Sequence, residues 1–151
     1  MTKRSVINVL GYAGLIPFVI TALLVTTDFR TPGLDAILVF ALYSALIASF
    51  LGGALWGRAL GQPTQSSTVI ALLFSNAIVL LAFAAMFWLA LFPLVAVVLL
   101  AVCHLLLIWL ERGAFAELFT EAESFYANFR LSLTTLVLLC HGLVLFSLAA
   151  N

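Results

Sequence analysis

A chain of 151 residues that is 66% hydrophobic and only 8% charged cannot keep a solvated globular surface, because soluble domains carry roughly 25% charged residues. Six basic and six acidic residues cancel to a formal charge of zero, which leaves no basic surface for a nucleic-acid partner. With a mean hydropathy of +1.29 and repeated apolar runs of about 20 residues, the length that crosses a bilayer core, the expected class is an all-α polytopic membrane protein.

The first span is predicted at Val6–Thr26, behind Lys3 and Arg4. It is too long for the apolar part of a signal peptide, and no convincing small-x-small cleavage site follows, so it is expected to be retained. Gly11, Gly14 and Pro17 give it a small face and a predicted kink. The polar turn Asp28-Phe-Arg-Thr-Pro-Gly33 separates it from the second span, Asp35–Trp56, with Asp35 as a helix cap. Here Ala41, Ala45, Ser49, Gly53 and Gly57 recur every four residues, with Ser44, Ala48 and Gly52 beside them. Small residues at that spacing allow close helix approach in lipid, so this helix is expected at the centre of the bundle.

After the linker Gly61-Gln-Pro-Thr-Gln-Ser-Ser67, the third span is predicted at Thr68–Leu91, with Ser75 and Asn76 in its interior. Packing across a helix interface is the expected role of Asn76. Pro93 is the clearest breaker before the fourth span, Pro93–Leu110, and suits a first helical turn; a turn near 85–88 is the alternative. From 112 to 130, Phe115, Leu118, Phe119, Ala122, Phe125, Tyr126 and Phe129 alternate with Glu117, Glu121, Ser124 and Asn128 at helical spacing. That pattern predicts an amphipathic interfacial helix between spans four and five, either a connector or a docking surface. The fifth span is Leu131–Ala149. The whole chain, 1–151, reads as one membrane-embedded domain.

Lys3, Arg4, Arg58, Arg112 and Arg130 fall on one side of these spans and Arg30 on the other. The positive-inside rule then places the amino terminus on the cytoplasmic or matrix side. Trp56, Trp88 and Trp109 near span ends agree with interfacial anchoring.

Chemistry is sparse. His104 and His141 each follow a cysteine inside a span. They could ligate a b-type haem or lie on a proton path, or tie helices together as neutral hydrogen-bond partners, for instance through Asn76 or a backbone carbonyl. Counted from Glu111 and Arg130 at 1.5 Å per residue, they lie at depths differing by about 6 Å, which favours the hydrogen-bonding role. Cys103 and Cys140 read as buried small side chains. Tyr12, Tyr43, Ser44 and Ser49 could line a polar cavity, with Arg58 or Arg130 recognising a lipid phosphate or quinone headgroup. Anchoring and mutual hydrogen bonding are the simpler roles. No catalytic set, phosphate loop or metal cluster is legible, so no metal is expected and an enzyme is the least supported class.

The segments Leu10-Gly-Tyr-Ala-Gly-Leu-Ile-Pro-Phe18, Tyr43 with Ser49-Phe-Leu-Gly-Gly-Ala-Leu-Trp-Gly57, and Tyr126 with Phe129-Arg-Leu-Ser-Leu-Thr134 resemble domain-of-unknown-function family 3429, which includes transmembrane protein 69 of animals. The resemblance implies a bacterial or mitochondrial inner-membrane protein and no activity. The expectation is a non-enzymatic accessory or assembly subunit packed against a larger membrane complex, or a homo-oligomer. A small carrier or quinone/lipid-binding protein is the alternative, and haem binding through His104 and His141 a minor one.

Overall fold

The computed structural model describes residues 2–27, 33, 35–63, 66–113 and 124–150. These residues form α1 (Lys3–Ala13), α2 (Ile16–Thr26), α3 (Ala36–Leu60), α4 (Ser66–Leu89), α5 (Pro93–Arg112) and α6 (Ser124–Ala150). Among the described residues, five stretches are long and apolar enough to cross a membrane: Arg4–Thr26, Ala36–Leu60, Ser66–Trp88, Pro93–Arg112 and Asn128–Ala150. The chain is an all-helical, multi-pass membrane protein.

The first of these stretches contains both α1 and α2. Pro17 has no N–H to continue the helical ladder, and the chain breaks at Gly14–Leu15. Two hydroxyls bond carbonyls beside the break. Tyr43 Oη donates to Gly14 O at 2.9 Å, and Thr21 Oγ1 to Pro17 O at 2.6 Å. Asp35 caps α3 by accepting from the N–H groups of Ile37 and Leu38. α4 ends at Leu89, and Pro93 opens α5 from its first turn, so the alternative turn at 85–88 is not the one formed.

Most of the predicted interfacial segment, residues 114–123 with Phe115, Glu117, Leu118, Phe119, Glu121 and Ala122, lies outside the described residues. Its end does not form a separate helix. Ser124–Arg130 is continuous with the last span in the 27-residue α6, because no glycine or proline interrupts Ser124–His141.

α3 packs against α2, α4 and α5, as its small residues require. The seam, however, follows alternating steps of four and three. Ala41, Ala45, Ala48, Gly52, Leu55 and Ala59 are buried in α3, facing Ala71, Ser75, Ile78, Ala82, Ala85 and Leu89 in α4. Ala96, Leu100, Cys103, Leu107 and Leu110 continue the same rhythm in α5. A step of four residues turns about 400°, so a strict four-residue stripe drifts by about 40° per step. By Gly57 the drift is about 160°, and the end of the stripe faces outward. A seven-residue repeat drifts by only about 20° and stays on the seam.

The glycines report the difference directly. A Cβ on Gly52 would sit 3.1 Å from Ser75 O, whereas one on Gly53 or Gly57 meets nothing within 4 Å. The expectation that Gly53 and Gly57 pack inside the bundle is therefore corrected; Gly52 makes the close approach. In the first span, a Cβ on Gly11 would overlap the Phe129 ring and come within 2.9 Å of Leu133 Cδ1, so Gly11 seats α1 against α6. A Cβ on Gly14 would come within 3.3 Å of Gly11 O, with Tyr43 Oη at 3.9 Å.

Candidate functional site: a bridged histidine pair beside a half-open cavity

Most of the buried apolar residues among those described fall into two clusters. One joins α3, α4 and α5 and is rich in alanine. The other is built from Leu15, Phe18, Ala22, Phe40, Val97, Val137, Cys140 and Val144. The larger side chains of the second cluster surround the most polar group in the interior, His104, His141 and Ser44. All three are buried, Ser44 and His141 with no exposed surface.

Ser44 Oγ lies 2.9 Å from His141 Nε2 and 3.1 Å from His104 Nε2. His141 Nδ1 lies 2.8 Å from Val137 O. A carbonyl can only accept, so His141 carries its proton on Nδ1, and in a neutral ring its Nε2 must then accept. The Ser44 hydroxyl donates to that nitrogen. Its single proton is thereby used, and His104 Nε2–H donates to Ser44 Oγ. Among the described residues no hydrogen bond reaches His104 Nδ1. Phe18 and Phe40 wall the pair in. Phe18 sits edge-on to His104 at 6.0 Å between centroids, and Phe40 lies 4.8 Å from His141.

The two imidazole centroids are 5.5 Å apart, so the apparent difference in depth does not separate them. The count from Glu111 and Arg130 holds only if their backbones stand level. Arg130 Nη2 donates to Glu111 Oε1 at 3.2 Å, and so long a side chain lets the two backbones stand at different heights. The hydrogen-bond partner is Ser44, not Asn76. Asn76 is exposed and its amide donates to Leu72 O of its own helix. A metal shared through both Nε2 atoms would need the position that Ser44 Oγ occupies. Among the described residues no group of three or more His, Cys, Asp or Glu is placed to hold a metal ion.

His104 also lines a cavity of about 160 Å³, together with Gly11, Gly14, Phe18, Arg130 and Thr134. An apolar cavity of about 150 Å³ holds a benzene ring, so this space has room for one six-membered ring. It is partly open, and its rim includes Leu10 and Phe50, which are 67% and 71% exposed. Both lie in stretches long and apolar enough to cross a membrane.

Tyr12, Tyr43, Ser44 and Ser49, expected on a polar cavity, do not line this one. Tyr43 is spent on Gly14 O. Tyr12 is exposed and packs edge-on to Phe129 at 5.5 Å. Ser49 is not among the lining residues, and Arg58 lies over the Tyr126 ring at 5.4 Å instead. Arg130 alone of that set lines the cavity. Ser44 was expected on a polar cavity and instead bridges the two histidines. Thr134, which keeps a four-residue step from Arg130, is the lining residue that sequence reasoning did not single out. Cys103 and Cys140 are free and buried, and the Cys103 thiol points at Ile78 O, 3.9 Å away.

The profile of the family described as protein of unknown function (DUF3429) matches residues 3–146. The chain belongs to this family. The match includes every residue of the histidine–serine group and the whole cavity lining. No curated protein and no solved structure matches the chain.

Proposed function

We propose that this DUF3429 protein is a non-enzymatic membrane protein that binds a lipid-soluble small molecule with a ring-sized polar head, of the quinone class. The cavity carries the reading. It is sized for one ring, is partly open, and sets His104, Arg130 and Thr134 on an otherwise apolar wall. Small-molecule sites commonly combine such walls with a few convergent polar groups. The inner membrane of a bacterium or mitochondrion is the proposed location, with the amino terminus on the cytoplasmic or matrix side.

Purification in mild detergent, followed by solvent extraction and mass spectrometry, tests this reading. A bound quinone or phenolic lipid at near-stoichiometric amount is expected, and its loss when Thr134 is replaced by Leu, which fills the cavity. An empty wild-type protein that also fails to bind short-chain quinones, quinols and phenols in nanodiscs overturns it. No resident haem is proposed, since Ser44 Oγ stands between the two Nε2 atoms. A Soret band lost in His104→Leu would overturn that part.

A second reading, the accessory or assembly subunit, is favoured by one observation: Gly53 and Gly57 leave open space on α3, where a helix of a membrane-protein partner or second copy could approach. Native mass spectrometry separates the two readings, because stoichiometric protein subunits support the second and a lone chain carrying a small molecule supports the first.

A further inference from the structure

The hydrogen bonds around Ser44 have a direction, and the direction reaches the cavity. Val137 O fixes the proton of His141 on Nδ1. Ser44 must then donate to His141 and accept from His104. His104 is left with an unprotonated Nδ1, an acceptor in a side chain that is 2% exposed and forms part of the cavity wall. An unmet acceptor in an apolar site disfavours another acceptor placed against it and rewards a donor.

We infer that the cavity selects ligands that present a hydroxyl, a phenol or hydroquinone, over the matching carbonyl or ether. This rests on the binding role proposed above and names the form of the ligand that is bound. The ligand hydroxyl donates to His104 Nδ1. A second oxygen on the ring can accept from Arg130, which Glu111 holds in place through Nη2. A quinone carbonyl suits Arg130 but sets lone pair against lone pair at His104. A methyl ether lacks the proton altogether. Sites built to hydrogen-bond a hydroxyl discriminate strongly against analogues without it, because the buried partner is left unpaired.

Ser44 is a positioning residue in this scheme, touching the ligand only through His104. Without its hydroxyl, His104 has no bond that holds the proton on Nε2, and both neutral tautomers become available. Discrimination should then fall while the cavity remains.

The test uses the full chain in nanodiscs and three probes: a 4-alkylphenol, its methyl ether and the corresponding alkyl quinone. The wild type is expected to bind the phenol about tenfold or more tightly than the other two. Ser44→Ala is expected to bind all three within about threefold of one another. A wild type that binds the ether or quinone as well as the phenol overturns the inference while leaving the cavity reading intact. Undiminished discrimination in Ser44→Ala overturns the role of Ser44. Failure of all three probes to bind removes the binding role itself. Nitrogen-15 spectra of histidine-labelled wild type give a reading that needs neither the variant nor a ligand. Protons on His141 Nδ1 and His104 Nε2 are expected, and a proton on His104 Nδ1 overturns the inference.

Discussion

The two buried clusters solve the same problem with different side chains. Between α3, α4 and α5, alanine and glycine let the backbones approach until Gly52 nearly touches Ser75 O. That region is held by close packing, since lipid offers no hydrophobic drive between helices. Where α2 and α6 meet α3 and α5, the buried apolar residues are larger, among them Phe18, Phe40, Val97, Val137 and Val144. Imidazoles, a hydroxyl and a cavity lie among them. Small residues give adhesion, and the polar chemistry sits among large ones. The same helix, α3, serves both, with Gly52 on one side and Ser44 near the other.

The largest expected effect lies at the edge of the polar region. Glu111→Ala leaves buried Arg130 without the carboxylate, itself about nine-tenths covered, that pairs it at 3.2 Å. Removing one partner of such a pair costs about 3–5 kcal/mol. Unfolding of the purified variant in mixed detergent should show this, and a loss below about 1 kcal/mol would mean that the pair is solvated and that the region is not closed at that end.

Gly52→Leu comes next and attacks the close-packed region. Its side chain must enter a space where even a Cβ is crowded by a backbone oxygen, and overpacking costs about 1–3 kcal/mol. The same assay, with yield of folded protein as a second readout, checks it. Wild-type behaviour would break the contrast between the clusters.

Ser44→Ala removes two interhelical hydrogen bonds at once. Each such bond in a membrane contributes about 0.6–1.7 kcal/mol, so the loss should be smaller than for the ion pair but measurable. A double-mutant cycle with His141→Leu should show strong coupling, and additive losses would mean that the bridge contributes nothing. The smallest effect is expected for Gly53→Leu, one residue from Gly52. Its side chain points into open space, and the stability of the isolated chain should change by less than about 0.5 kcal/mol. A large loss in a monomeric preparation would show that this face is packed within the chain after all.

Much of the architecture was legible because the bilayer imposes it. Every backbone polar group must be satisfied within a helix, so apolar runs of sufficient length can only be spans, and all five are found within a few residues of their expected bounds. Pro17 announced the break in the first span, and Asp35 and Pro93 announced two helix starts. The end of the amphipathic pattern, 124–130, belongs to α6, because periodicity alone does not tell an independent helix from the first turns of a longer one.

The site was legible only in part. His104, His141 and Arg130 stood out as ionisable groups in apolar surroundings, and the two histidines do meet. That Ser44 bridges them was not readable, since a serine in a run of small residues looks like packing. Which small residues pack was also misjudged in part. A period of four resembles a face on paper, but 100° per residue carries it off the interface within four steps.

The sequence by itself determined the class, the number of spans and the presence of a tight helix near the middle, because these follow from length, hydropathy and the demand for internal hydrogen bonds. Only the tertiary structure decided which glycine touches a neighbour, where the cavity lies and which nitrogen of His104 bonds Ser44. Those depend on helix rotation and relative height, set jointly by all the helices in contact. No single helix sequence encodes them.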